Sequence, residues 1–176
     1  KDRETFKAVL RTEDGLLFET VLMGNAREQW TVCVSSQVGC AMRCAFCATG
    51  AMGLKRSLTV DEIVDQLRFW ISFLQQPLTR SLPKGERSIG SAHRDSRISN
   101  IVFMGMGEPL ANVSSVKRAI HTWMDQTDLG PTHITVSTVG VLSAMDQLLE
   151  DKDWPPVRIA VSLHSAVESE REKIVP

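Results

Sequence analysis

No apolar run in this sequence approaches the roughly 18 residues that a membrane-spanning helix needs. The first residues, Lys1-Asp2-Arg3-Glu4, do not open a charged-then-apolar signal segment. A cytoplasmic location with no membrane partner is therefore expected. Charge of one sign is also missing: 20 Lys and Arg face 21 Asp and Glu, a net charge of −1. That excludes a polycation holding nucleic acid by bulk charge, although not a local basic face. There is no internal repeat and no low-complexity tract. Cysteine is scarce, with four in 176 residues, and three of them fall between positions 40 and 47. A disulfide framework would spread them, whereas crowding points to metal or redox chemistry. The fourth, Cys33, sits in an apolar strand pattern and reads as a small buried hydrophobe. What is present is an ordinary globular composition, 43% hydrophobic and 23% charged, long enough for one real core.

Periodicity organises the chain. Phe6–Leu10 and Leu17–Leu22 flank Glu13-Asp14-Gly15, and Asp-Gly is a strong hairpin signal. A third strand is predicted at Trp30–Ser35. Thr59-Val60-Asp61-Glu62 has the spacing of a helix capping box. Ile63, Leu67, Trp70, Ile71 and Leu74 then follow helical spacing. Residues 77–97 are rich in Pro, Gly, Ser and Arg and read as a long loop. Strands are predicted at Ile98–Met104, His133–Thr138 and Val157–Leu163. Helices marked by Val116, Ile120 and Trp123, and by Val141, Met145 and Leu148, alternate with them. A helical tail closes the chain. Strand–helix alternation implies parallel strands with crossover helices. About four units are visible against the eight of a closed (β/α)8 barrel, so the fold class is α/β, a partial (β/α) barrel with an N-terminal β-hairpin extension. The expected division is residues 1–29 for the extension and 30–176 for the core.

Four motifs carry chemistry. Cys40-x-x-x-Cys44-x-x-Cys47 is the strongest. Thiolates are the usual ligands of iron–sulfur clusters, and three of them leave one iron open to a small chelating ligand. Structural zinc is the alternative, but it asks for four protein ligands, and no His lies in this loop. Met104-Gly105-Met106-Gly107-Glu108-Pro109 follows a strand; its glycines admit a ligand to the backbone, and Glu108 can accept from an ammonium group. Ser137-Thr138-Val139-Gly140 and Ser162-Leu163-His164 are unremarkable alone. All four motifs fall at the C-terminal ends of predicted strands, the edge where parallel α/β folds bind ligands.

The cysteine spacing is the signature of the radical S-adenosylmethionine superfamily. The string Cys33-Val34-Ser35-Ser36-Gln37-Val38-Gly39-Cys40, with Phe103–Leu110, Val136–Gly140 and Val161–His164, further resembles the 23S rRNA/tRNA adenine-C2 methyltransferase family over nearly the whole chain. The resemblance implies that Cys40, Cys44 and Cys47 hold a [4Fe–4S] cluster whose open iron is chelated by S-adenosyl-L-methionine. It implies cofactor contacts from Gly107, Glu108, Ser137, Ser162, Leu163 and His164. It makes Glu19, in Phe18-Glu19-Thr20-Val21, the proton acceptor; read from the residues alone, Glu19 is a solvated strand carboxylate. Adenine C2 is not a nucleophile, so the family works through a methylcysteine and radical addition to the base. The partners implied are 23S rRNA and tRNA and an electron donor such as flavodoxin, with the protein a monomer.

The resemblance also sets expectations about what lies elsewhere. The methyl-carrying cysteine and a further cofactor-contacting Asn are expected beyond Pro176, and an N-terminal helical RNA-binding domain before Lys1. Cys33 does not match the methyl carrier. Arg80, Lys84, Arg87, Arg94 and Arg97 decorate the long loop as a basic surface that could meet phosphates. Two other functions stay open: the related adenine-C8 methyltransferase, against which Pro109 argues, and a non-catalytic remnant that keeps its cluster as a structural element.

Overall fold

The computed structural model describes residues 4–27, 29–75 and 97–175. The basic loop residues Arg80, Lys84, Arg87 and Arg94 lie outside the described residues. Arg97 is described, and its guanidinium faces Asp128 at 3.5 Å.

One sheet of six strands carries the chain, in the order β1 (Thr5–Arg11), β2 (Leu17–Gly24), β3 (Trp30–Cys33), β6 (Ile98–Phe103), β7 (Ile134–Thr138) and β8 (Arg158–Val161). The first three pair antiparallel, and β3, β6, β7 and β8 are parallel. The hairpin therefore extends the same sheet as the parallel strands. Its turn forms at the predicted place: Gly15 adopts φ +84 and donates its N–H to the Thr12 carbonyl at 3.0 Å. A second ladder of two residues a side pairs β4 (Gln37–Val38) with β5 (Arg56–Ser57). Between them lies the short helix α1 (Ala48–Ala51). Neither the ladder nor α1 has a periodic signature in the sequence.

The helices α2 (Val60–Gln75), α3 (Val113–Gln126) and α4 (Leu142–Glu150) supply the crossovers. The capping box forms as its spacing predicts: Thr59 N–H donates to Glu62 Oε2 at 2.9 Å, and Glu62 N–H to Thr59 Oγ at 3.2 Å. Ile63, Leu67 and Trp70 from α2 and Val116, Ile120 and Trp123 from α3 bury against Leu22, Val32, Ile101, Phe103, Ile134 and Val136 of the strands. The strand residues between those fall on the opposite face, against which the core cluster places no helix among the described residues. Trp70 joins the core at both ends. Its ring meets Phe73 edge-on at 5.4 Å, and its Nε1 donates to Thr20 Oγ at 3.0 Å. No helix among the described residues is long and apolar enough to cross a membrane.

Candidate functional site

Parallel strands send their C-terminal ends to one edge, so the four motifs collect there. The segment after β3 leads to the cysteine loop and that after β6 to Gly105–Pro109. Those after β7 and β8 carry Val139-Gly140 and Ser162–His164.

Side chains that the sequence did not single out fix this edge. Gln66 sits on the apolar face of α2, fully buried, and clasps the chain end of β3. Its Oε1 accepts from Ser35 N–H at 2.8 Å, and its Nε2 donates to the Ser35 carbonyl at 2.9 Å. Asn112 donates to the carbonyls of Ser36 and Leu58, both at 2.9 Å. Ser35 Oγ donates to the Glu19 carbonyl at 2.5 Å and accepts from Met106 N–H at 2.8 Å. Only Gln66 left a signal: a polar residue among Ile63, Leu67 and Trp70 on an otherwise apolar stripe.

The glycine-rich turn after β6 packs directly on this frame. A Cβ on Gly105 would stand 2.7 Å from the Val34 carbonyl. Gly107 adopts φ +98, and a Cβ there would meet the Gln37 side chain at 2.5 Å. That placement lets Gln37 Oε1 accept from Glu108 N–H at 3.0 Å. Glu108 is 2% exposed, and its carboxylate joins two strand exits. Oε1 accepts from Leu110 N–H at 2.9 Å and Oε2 from Val139 N–H at 3.0 Å.

The cysteine loop is similarly tight. A Cβ on Gly39 would lie 1.8 Å from the Gly53 carbonyl oxygen, and Arg43 sits at φ +51. Cys40 and Cys44 are buried, and Cys47 is half-buried at the start of α1. Burial pushes the Cys40 and Cys44 thiols up from their ordinary range, and the neighbouring thiols and Glu108 add to it. Thiols so placed become ligands once a cationic centre favours the thiolate. Among the described residues no group of three Cys, His, Asp or Glu is gathered as a site for a single metal ion. In a cluster each of three thiolates takes a different iron. The all-sulfur donor set fits the same group.

Ser137 Oγ and Ser162 Oγ lie 3.3 Å apart at the ends of β7 and β8. Leu163 is exposed, and His164, at φ +61, tilts onto Phe46 of the cysteine loop with ring centroids 4.5 Å apart. Every sequence-predicted cofactor residue thus stands at the strand edge that holds the thiols. Glu19 stands apart, on β2. Its side chain pairs with Lys7 of β1 at 2.9 Å and is half exposed. Its backbone N–H, however, reaches Met106 Sδ at 3.4 Å. Cys33 is buried as expected, and burial pushes its thiol up.

No protein-family profile matches the chain. Individual relatives do. A probable RNA methyltransferase of Rhodopirellula baltica is 43% identical over 172 residues, 97% of this chain and 40% of that one. A probable dual-specificity RNA methyltransferase RlmN of Aquifex aeolicus is 38% identical over 98% of this chain and 44% of its own. The dual-specificity RNA methyltransferase RlmN 1 of Myxococcus xanthus is 43% identical over 99% of this chain and 44% of its own. The chain thus spans less than half the length of the curated relatives it matches. A crystal structure of a radical SAM methyltransferase from Sphaerobacter thermophilus superposes with a TM-score of 0.77 at 38% identity, over 98% of this chain and 46% of that one. At that likeness the two share one fold, the partial (β/α) barrel.

Proposed function

From this kinship with dual-specificity RNA methyltransferases, and a fold shared with a radical SAM methyltransferase, we propose that the chain is the cofactor-binding core of an RNA adenine-C2 methyltransferase. One observation carries the reading: three thiols crowded in one loop, two of them buried, and the buried carboxylate of Glu108 lie on the same ligand edge of a parallel sheet.

Cys40, Cys44 and Cys47 would hold a [4Fe–4S] cluster, which would supply one-electron reducing chemistry toward S-adenosyl-L-methionine. The chain's own residues bind and orient that cofactor. Glu108 presents its carboxylate to the methionine ammonium, while Leu110 and Val139 N–H keep it in place. Gly107 lets the turn close on Gln37, which sets the backbone of Glu108 in place. Ser137, Ser162, Leu163 and His164 border the rest of the molecule from the exits of β7 and β8. Glu19 serves as the proton acceptor of the methylation, with Lys7 holding its carboxylate on the sheet face opposite those helices. The substrates are 23S rRNA and tRNA, the reductant is a flavodoxin-type donor, and the protein works as a cytoplasmic monomer.

The test is anaerobic reconstitution with iron and sulfide, then EPR of the reduced chain with and without S-adenosyl-L-methionine. A [4Fe–4S] signal that changes on adding the cofactor is expected. A stable cluster whose spectrum ignores the cofactor would favour a structural remnant, and zinc in place of a cluster would end the reading. Nucleoside mass spectrometry on RNA from cells with the full-length gene should find 2-methyladenosine; 8-methyladenosine alone would move the assignment to C8.

A further inference from the structure

The last helix, α5 (Glu168–Ile174), is fastened at both sides to the edge that holds the thiols. On one side the Arg171 guanidinium donates to the Val139 carbonyl, just past β7. Its Nη2 is 3.8 Å from the place a Cβ on Gly140 would occupy. On the other side Ala45, next to Cys44, donates its N–H to the Ile174 carbonyl at 2.8 Å. Residue Val139 is therefore held through both backbone groups, its N–H by Glu108 and its carbonyl by Arg171. Glu168 and Glu172 border the groove beside Arg171, but both are exposed, so water and salt screen them.

We propose that Arg171 is a positioning residue for the redox centre: it pins α5 beside the cysteine loop and, by its fixed charge, raises the reduction potential of a cluster held by Cys40, Cys44 and Cys47. This rests on the reading of those thiols as cluster ligands. The thiolates and Glu108 gather negative charge in a partly buried place. On reduction, the [4Fe–4S]2+ core accepts one electron from a low-potential one-electron donor and becomes [4Fe–4S]+. A nearby cation stabilises the more negative state, more strongly where water is excluded. A guanidinium keeps its charge at every working pH, so its influence is constant.

The experiment compares Arg171→Gln, Arg171→Lys and Lys173→Gln with the parent chain, each reconstituted with iron and sulfide. The midpoint potential is read by EPR-monitored titration, and iron and sulfide content are measured. Arg171→Gln should shift the midpoint to more negative values at unchanged cluster content. Arg171→Lys should restore most of that shift. Lys173→Gln removes the same charge from the exposed face of α5, where Lys173 pairs with Glu170, and should leave the midpoint in place. An unchanged midpoint in Arg171→Gln overturns the proposal, as does a shift that Lys fails to recover or that Lys173→Gln reproduces. If Arg171→Gln takes up no cluster, the Lys variant decides: a cluster at near-parent potential supports the role of charge, and failure there too overturns it. A parent chain that binds no cluster fails differently, because it removes the cluster reading itself.

Discussion

A buried carboxylate must have its charge answered, and Glu108 has two backbone N–H groups to do so. Replacing it by Gln keeps the shape but removes the charge and points an amide donor at one of those N–H groups. Glu108→Gln should keep the cluster and lose S-adenosyl-L-methionine affinity by about tenfold or more, since a hydrogen bond to a charged group contributes ~1.5–3 kcal/mol. Cofactor titration of the EPR signal would check it; undiminished affinity would remove Glu108 from the site. Gly39 offers a steric counterpart. Its φ of +77 and the Gly53 carbonyl at 1.8 Å from a built Cβ leave no room for alanine. Gly39→Ala should abolish cluster uptake, read as iron content, while circular dichroism retains the sheet and helices. Such residues were legible because their chemistry is unusual wherever it occurs: crowded thiols, or a carboxylate after paired glycines. Asn112 was not, and Ser35 and Gln37 stood in a recognised string with no role to read from it. Their work is to bond backbone groups that only the folded chain brings near, over separations such as the 76 residues from Asn112 to Ser36.

Elements were legible where a face is apolar. The 3.6-residue period of α2 and α3 and the apolar runs of β6 and β7 follow from burial against one another. The β4–β5 ladder was not legible, because ties to distant side chains hold it as much as its own pattern does. Arg56 of β5 bridges Asp14 in the hairpin turn at 2.8 Å and Glu62 in the first turn of α2 at 2.7 Å. The guanidinium holds both carboxyl groups below the usual carboxylate range. Groups with depressed folded pKa values contribute stability that is present above the usual carboxylate range and lost as pH falls through the depressed values. Arg56→Gln should therefore lower Tm near neutral pH by about 2–4 °C, a modest loss in keeping with partly exposed pairs. Its Tm should also fall less steeply than the parent's as pH drops from ~5 to ~2. Parallel pH profiles for the two proteins would show that the bridge stabilises nothing.

At the scale of the whole molecule, the helices among the described residues cover one face of the sheet, and separate parts of the chain meet at the edge that carries the cysteine loop. The cysteine loop contacts α5 through Ala45, Glu108 joins the exits of β6 and β7, and His164 leans on Phe46. A group bound only by the native arrangement stabilises all of it by mass action. Stripping the cluster with oxygen and a chelator should lower the Tm of the chain by more than about 4 °C. It should also open Arg43 to trypsin, followed by mass spectrometry; equal melting of loaded and stripped protein would mean the loop is ordered without its metal. Partial-barrel architecture was readable from strand–helix alternation, whereas the packing of the described helices on one face was not, since pattern alone says which side is apolar but not what lies against it. The one-sided packing has an optical consequence. All four tryptophans, Trp30, Trp70, Trp123 and Trp154, lie in or against the helix-covered core. In the cluster-free chain, intrinsic fluorescence is thus a gauge of the helix-covered half and has no emitter on the other. A change in emission on adding a ligand to that other face would report movement transmitted through the sheet rather than contact with the ligand.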